Sequence, residues 1–292
     1  MSAHRWSDGP APKASESAGA ALASAAAVLA TVSATPRLDA ELLLAFVTGR
    51  TRGSLLAFPE RAVEPAAAAR FAALIARRLS GEPFAYLTGE REFFSLPLDV
   101  SSDVLVPRAE TELLVELTLA RIAALSAPAV LDLGTGSGAI ALAVRHAWPA
   151  AQVTGSDTSA AALAVARANG ARLGLEVRWR ESRWFESLAG ERFDVVVSNP
   201  PYVRSAEVCG ALAFEPRLAL DGGADGLDAF RVLFAEAPPH LNVGAALLVE
   251  HGAGQRRELE ALAVQRGWRV AAAHDDLAGH ARVLELERSR LP

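Results

Sequence analysis

The tetrapeptide Asn199-Pro200-Pro201-Tyr202, inside the stretch VVVSNPPYV, is the part of this chain whose residue types point most directly to chemistry. Proline donates no N–H and fixes its own φ, and a residue before proline is pushed out of the helical region, so the four residues form a rigid, extended turn. The carbonyls of such a turn and the Asn199 amide have no local partner; they face water or stay open for a ligand. The Asn199 side-chain oxygen and the Pro200 carbonyl can together accept both N–H bonds of a planar NH₂ group, while Tyr202 offers a ring face that holds it flat. An amide or an amino-purine suits that arrangement. Amide nitrogen is a poor nucleophile because its lone pair is delocalised, so a protein would orient it in line with an electrophilic methyl sulfonium and draw its hydrogens toward acceptors. No nucleophilic Ser or Cys is required. The bland alternative is a proline turn with no ligand.

A second constellation lies upstream in VLDLGTGSGAIAL, where an apolar strand, Ala129 to Leu133, runs into Gly134, Gly136 and Gly138 and then a helix. Glycines there let the backbone turn sharply and let a small ligand lie against the main chain at a helix N-terminus. The spacing is ambiguous: G-x-G-x-G fits methyl-donor sites, and Gly134, Gly136 and Ala139 also fit the dinucleotide pattern G-x-G-x-x-A. Asp157 closes the next strand, AQVTGSD, about twenty residues on, where an acid can accept hydrogen bonds from the ribose hydroxyls of an adenosine. It can also cap a helix starting at Thr158, and both roles can hold together.

The whole chain bounds these readings. At 292 residues and 51% hydrophobic it can bury a full core, one large domain plus a smaller one. A net charge of −5 argues against a broad phosphate-binding surface, so no direct nucleic-acid contact is expected. The only lysine is Lys13, in an opening stretch rich in Ala, Ser and Pro, which removes Schiff-base and phosphate-loop lysines. One cysteine, Cys209, makes no internal disulfide, and the six histidines show no ligand-like spacing, so no metal is expected and a reducing cytoplasm is the natural compartment. The opening Ala run is too short and weak for a signal or a membrane span.

The elements that must position the two constellations follow from periodicity. From about Ala20 to Ser80 the pattern is helical, with PRLDAELLLAFVTG opening on Pro36 and EPAAAARFAALIARRLSG running to Gly81. EFFSLPLDVSSDVLVP, Glu92 to Pro107, alternates apolar and polar residues around a Ser-Ser-Asp turn, which predicts a hairpin. A helix from about Ala109 to Leu125 follows. Beyond it the strand patterns AVLDL, AQVTGSD, LEVRW, FDVVVSN, AALLVEHG, WRVAAAH and ARVLELE alternate with helical ones, which predicts a parallel sheet with helices on both faces. The predicted division is a disordered tail over 1–19, a helical domain over 20–90, a hairpin linker over 91–107 and an α/β domain over 108–292.

SNPPY after LDLGTGSGAIAL, with YLTGEREFFSLPLDVSSDVLVPRAETELLVE ahead and FEPRLALDGGADGLDAF and LLVEHGAGQ behind, resembles the HemK/PrmC family, the peptide chain release factor glutamine methyltransferases. The resemblance runs from about Leu38 to Glu287. It implies a doubly wound, Rossmann-like sheet of seven strands, S-adenosylmethionine as donor, and as substrate the glutamine of the Gly-Gly-Gln loop in class I release factors. Carried over by position, Gly134, Thr135, Gly136, Ser137, Gly138, Asp157 and Asn199 would hold the donor, with Trp184 against its adenine. Asn199, Pro200, Pro201 and Tyr202 would grip the glutamine, with Asn199, Pro200 and Tyr202 catalytic. The N-terminal helices would dock the release factor, and a monomer is expected.

Two positions depart from the family pattern. Arg183 stands where an acid usually precedes the Trp-Phe pair, with Glu181 as a substitute only if the loop shifts, and Ala109 replaces a second proline, which loosens the start of the helix. Trp184 and Phe185 are each also readable as plain core aromatics, the favoured reading for Phe185, and His251 is read as strand-end structure. Glu215 and Asp225 are read either as shaping the substrate channel or as solvated loop charge, and Cys209 as inert. The alternatives are a ribosomal-protein glutamine methyltransferase, an adenine or guanine amino-group methyltransferase, and a nicotinamide-dependent oxidoreductase or non-catalytic nucleotide-binding module in which Asn-Pro-Pro-Tyr has no role.

Overall fold

The computed structural model describes residues 17–289, which form two compact units, one ending at Gly89 and the other beginning at Glu90. Most of the expected tail, including Lys13, lies outside the described residues. Its last residues are ordered: the Ser17 hydroxyl accepts from the Ala20 N–H at 3.3 Å and so caps a helix that starts at Ala18, before the expected Ala20.

The first unit is helical throughout. It comprises α1 (Ala18–Leu29), α2 (Pro36–Thr48), α3 (Arg52–Ala57), α4 (Pro65–Leu79) and α5 (Phe84–Thr88). Pro36 and Pro65 occupy first-turn positions where a missing N–H costs nothing, and Gly49 ends α2 in the left-handed conformation. Leu22, Leu29, Leu43, Leu44, Leu55 and Ile75 fill the core between the helices. Two buried carboxylates tie it together at its polar edge. Glu41 takes Arg37 and Arg52, each at 2.6 Å, and Asp39 accepts from Ser33, Thr35 and Arg78.

The second unit opens on a hairpin, β1 (Glu90–Phe93) and β2 (Leu96–Asp99), followed by α6 (Glu112–Ile122). The turn falls at Phe94 and Ser95, not at the expected Ser101-Ser102-Asp103, which makes a separate bend. Both turn residues have positive φ, 50° and 62°. A two-residue hairpin loop demands that twist even without glycine, and the buried side chains of Phe93, Leu96 and Leu98 hold it in place.

The rest of the unit is an α/β sandwich: β3 (Ala129–Leu133), α7 (Ala139–Ala147), β4 (Gln152–Asp157), α8 (Ala160–Leu173), β5 (Arg178–Glu181), β6 (Phe193–Ser198), α9 (Arg217–Leu220), α10 (Asp228–Glu236), β7 (Leu241–Glu250), α11 (Arg256–Gln265), β8 (Trp268–Asp275) and β9 (Ala281–Arg288). The seven strands run in the order β5-β4-β3-β6-β7-β9-β8. β3 to β7 are parallel, but β9 pairs antiparallel with both β7 and β8, which corrects the all-parallel expectation. The connection from β8 to β9 is too short to hold the crossover that parallel pairing needs. β5 starts at Arg178 and not at Leu175, because Leu175 still hydrogen-bonds back to Gly170 at the end of α8.

The strands bury both faces. On β6, Val195 and Val197 join a core with α6 and α7, while Val196 joins the opposite core with α10 and α11. Such two-sided burial explains the run of valines. Strand order reverses between β3 and β6, so their carboxyl ends flank the switch point where open α/β sheets hold ligands.

Ser95→Gly removes a left-handed cost of about 1–2 kcal/mol and adds unfolded-state entropy of about 0.5–1 kcal/mol. The first effect wins, and the variant should be about 0.5 kcal/mol more stable by urea denaturation. A lower midpoint would show that the Ser95 side chain stabilises the turn.

Candidate functional site

The loop after β3 is built on backbone contacts. The Gly134 and Thr135 N–H groups donate to the Ser156 carbonyl at 2.8 and 2.9 Å, and Gly138, at φ 84°, opens α7. A Cβ on Gly138 would meet the Trp179 ring at 2.9 Å, so this glycine serves packing. A Cβ on Gly134 or Gly136 would meet nothing within 4 Å, and space is open beside them. Asn169 supports the loop by donating to the Ser137 carbonyl at 3.0 Å.

Asp157 ends β4 with one oxygen accepting from Gly136 N–H and the other from Ser159 N–H, both at 2.9 Å. The helix beyond it begins at Ala160 with Ser159 as its cap, so the expected capping by Asp157 of a helix at Thr158 is not what forms. With the Thr158 N–H as a further partner, the carboxylate still keeps some of its lone-pair sites available. Burial, the largest influence, raises its pKa above the ordinary carboxylate value.

Asp132 lies beneath the loop, fully buried. Its Oδ2 accepts from Thr135 Oγ1 at 2.6 Å and Ala141 N–H at 3.0 Å, and Oδ1 has no partner among the described residues. Burial pushes its pKa up to about 7.

Gly134, Thr135, Gly136, Ser137, Asp157, Trp184, Asn199, Pro200 and Pro201 all line one cleft of about 730 Å³. Trp184 is half-buried and has the positive φ of 50°, unusual for a bulky residue. The Ser182 hydroxyl holds it there by donating to the Trp184 carbonyl at 2.9 Å. Arg183 lines the cleft beside it, whereas Glu181 does not, so the loop has made no shift that substitutes an acid. Phe185 is core, stacked on His240 at 4.7 Å.

The Asn-Pro-Pro-Tyr turn leaves the end of β6 at the same edge. Asn199 Nδ2 donates to Thr111 Oγ1 at 3.2 Å. Tyr202 does not line the cleft: its hydroxyl donates to Glu250 at 3.0 Å and its carbonyl accepts from Gln255 at 3.0 Å. Burial, and then the neighbouring Glu250, push its hydroxyl far above the ordinary tyrosine value, so it stays a donor.

Glu215 is buried, so it is not solvated loop charge, but it does not itself line the cleft. It accepts from the Val106 N–H at 3.0 Å and pairs with Arg108, binding the segment before α6 to the loop beyond the turn. Asp225 is surface charge paired with Arg231. His251 is buried with Nδ1 on the Gly252 carbonyl, and burial lowers its pKa. Cys209 is exposed. Among the described residues no cluster suits a metal and no helix is long and apolar enough to cross a membrane.

A methyltransferase from Pyrococcus furiosus shares the fold, with a TM-score of 0.51 at 19% identity over 74% of this chain and 98% of that one. Residues 20–89 match the PrmC N-terminal domain and residues 98–215 the methyltransferase small domain. A release factor glutamine methyltransferase of Bordetella pertussis is 48% identical over 252 residues, 85% of this chain and 93% of its own. The chain belongs to that family. A member from Burkholderia pseudomallei is 45% identical over 263 residues, 87% of this chain and 92% of its own.

The glycine loop and the Asn-Pro-Pro-Tyr turn expected from the sequence meet at one cleft, but the groups that support the turn were not expected. Thr111, Glu250 and Gln255 had no local signature. The signal the sequence did offer is the D-G-G-x-x-G spacing of Asp221 to Gly226, and the fold shows what those glycines do: a Cβ added at Gly222 would lie 2.8 Å from the Pro201 carbonyl and the Tyr202 Cα, and one at Gly226 2.5 Å from the Tyr202 carbonyl.

Gly222→Ala should therefore displace the turn and lower kcat by about tenfold or more while S-adenosylhomocysteine affinity stays within about twofold, by calorimetry. An unchanged kcat would mean that the turn tolerates the shift. Asp132 gives a pH signature. Its folded pKa lies above its unfolded value, so the stability it contributes is full below about pH 4 and is lost as pH rises through about 7. Relative to wild type, the Tm of Asp132→Asn should climb between pH 5 and pH 8; a constant difference would mean that Asp132 is ionised throughout.

Proposed function

We propose that the chain transfers the methyl group of S-adenosylmethionine to the side-chain amide nitrogen of the glutamine in the Gly-Gly-Gln loop of class I release factors, in the cytoplasm and as a monomer. The observation that carries this reading is the shared cleft: an open glycine loop and the half-buried carboxylate of Asp157 on one side, and the acceptor turn at Asn199 and Pro200 on the other. The donor fits here because the space beside Gly134 and Gly136 is open, and Asp157 keeps acceptor capacity after serving the backbone.

S-adenosylmethionine supplies, when bound, a methyl group on an electrophilic sulfonium. Gly134 to Ser137 and Asp157 would hold it, with Trp184 offering its ring and Asn199 adjoining. The protein's own part is to orient the amide. With its NH₂ side tied to Thr111, Asn199 is left with Oδ1 as a free acceptor, and Pro200 adds a carbonyl. Both acceptors draw N–H hydrogens from the amide and favour charge developing on nitrogen as the new bond forms. Tyr202 acts from behind as an anchor of the turn.

Specificity for a protein substrate needs more surface than one glutamine. The exposed face of α2 supports docking by the helical unit, since Leu38, Leu42 and Phe46 repeat at four-residue spacing and stay between 37% and 45% exposed. An adenine or guanine amino group would satisfy the same acceptors, but the net charge of −5 disfavours a flipped base with its phosphates.

Incubation with labelled donor and purified release factors, ribosomal proteins and tRNA should label only the release-factor glutamine; label on ribosomal protein or tRNA would replace this substrate reading. Asn199→Ala should lower kcat about 10²-fold with donor affinity largely intact. Asp157→Ala should do the reverse, weakening the donor by about 1–3 kcal/mol.

A further inference from the structure

Glu250, the last residue of β7, is fully buried and does not line the cleft, yet two side chains of the site end on it. Thr111 Oγ1 donates to its Oε2 at 2.7 Å and the Tyr202 hydroxyl donates to its Oε1 at 3.0 Å. Burial raises its pKa, while the charge of Arg282, itself paired with Asp276 at 3.1 Å, favours the carboxylate. Glu110 opposes that influence.

A threonine hydroxyl has one hydrogen. Once Thr111 spends it on Glu250, the oxygen has only lone pairs left, and what faces it from Asn199 at 3.2 Å must be a donor. An asparagine amide carries its donor and its acceptor on opposite sides, so fixing the NH₂ on Thr111 fixes where Oδ1 points. Every bond in the chain from Asn199 through Thr111 to Glu250 thus runs in one direction, and a carboxylate at the end is what makes it one-way. A neutral amide at that end offers a donor as well as an acceptor, which frees Thr111 to turn its hydrogen toward Asn199 and invert the amide.

We propose that Glu250 is a positioning residue which, through Thr111, sets the direction of this hydrogen-bond chain and holds Asn199 with its carbonyl oxygen presented to the substrate. The proposal rests on the reading of Asn199 as the acceptor for the transferred NH₂ group, and it adds a basis for choosing glutamine over glutamate. An inverted Asn199 would present N–H to the substrate, which suits a carboxylate and repels an amide's NH₂. The same carboxylate fixes both ends of the turn, Asn199 through Thr111 and Tyr202 directly.

Four variants of the full chain separate positioning from mere packing. Glu250→Gln and the isosteric Thr111→Val should each lower kcat about 10–100-fold with S-adenosylhomocysteine affinity within about twofold, and the double variant should be little worse than either, since the residues act as one chain. Thr111→Ser, which keeps the hydroxyl, should recover most of the rate lost in Thr111→Val. A direct readout needs no substrate: with ¹⁵N-labelled asparagine, the nuclear Overhauser contact between the Asn199 side-chain NH₂ and the Thr111 methyl should be present in wild type and absent in Glu250→Gln. Failure of wild type to label a release factor would overturn the substrate reading alone, leaving the amide orientation to be decided by that contact. Retention of the contact in Glu250→Gln, full kcat in Thr111→Val, or donor affinity lost in parallel with kcat would each overturn the positioning role. If Glu250→Gln does not fold, Thr111→Val against Thr111→Ser decides it.

Discussion

The parallel pairing of β3 with β6 is the constraint on which the site depends. Its register sets Val130 beside Val195, Leu131 beside Val196 and Asp132 beside Val197, so the two strands end level with each other. The glycine loop and the Asn-Pro-Pro-Tyr turn then leave the sheet at one edge although about sixty residues separate them in sequence. A shift of one residue would send the buried valines of β6 to the wrong faces, so the hydrophobic pattern that stabilises the sheet is also what aligns the chemistry.

At that edge the protein meets a shared problem in different ways: backbone must approach backbone closely without leaving polar groups stranded. Gly222 and Gly226 solve the steric part, since a Cβ at either would collide with the main chain of Pro201 and Tyr202. Gln255 solves the polar part by taking the carbonyls of Tyr202 and Gly226 that the turn leaves over. Proline makes the turn stiff but also removes its donors, which is why the neighbouring loop must supply them. The Asn199 acceptor is therefore held by parts of the chain from Thr111 to Gln255.

Much of the site is legible in short stretches of sequence. Gly134 to Gly138 and Asp157 carry short-range signals, a strand, a glycine turn, a helix and an acid at the right spacing, whereas Trp184 was placed only by the family resemblance. The prolines beside Asn199 mark a segment that no helix or strand interior accommodates. Where sequence and fold disagree, the misleading signal is local as well. Ser101-Ser102-Asp103 has better turn chemistry than Phe94-Ser95, yet the hairpin turns at the latter, because burial of Phe93, Leu96 and Leu98 outweighs two unfavourable φ angles. At β5, an edge strand, Leu175 and Val177 pack as a connecting segment, and their apolar pattern imitates an earlier strand start.

By itself, then, the sequence determined the types of group present, the α/β class and the two irregular loops that meet at the cleft, because each rests on periodicity or on backbone preferences that act within a few residues. Tertiary structure decided the antiparallel placement of β9 and β8, the withdrawal of Tyr202 from the cleft and the support of Asn199 by Thr111 and Glu250. Those outcomes depend on which distant groups share a buried space: a hydroxyl with one hydrogen and a carboxylate with none have no spacing rule that links them, and only their proximity in the folded chain sets which way Asn199 faces.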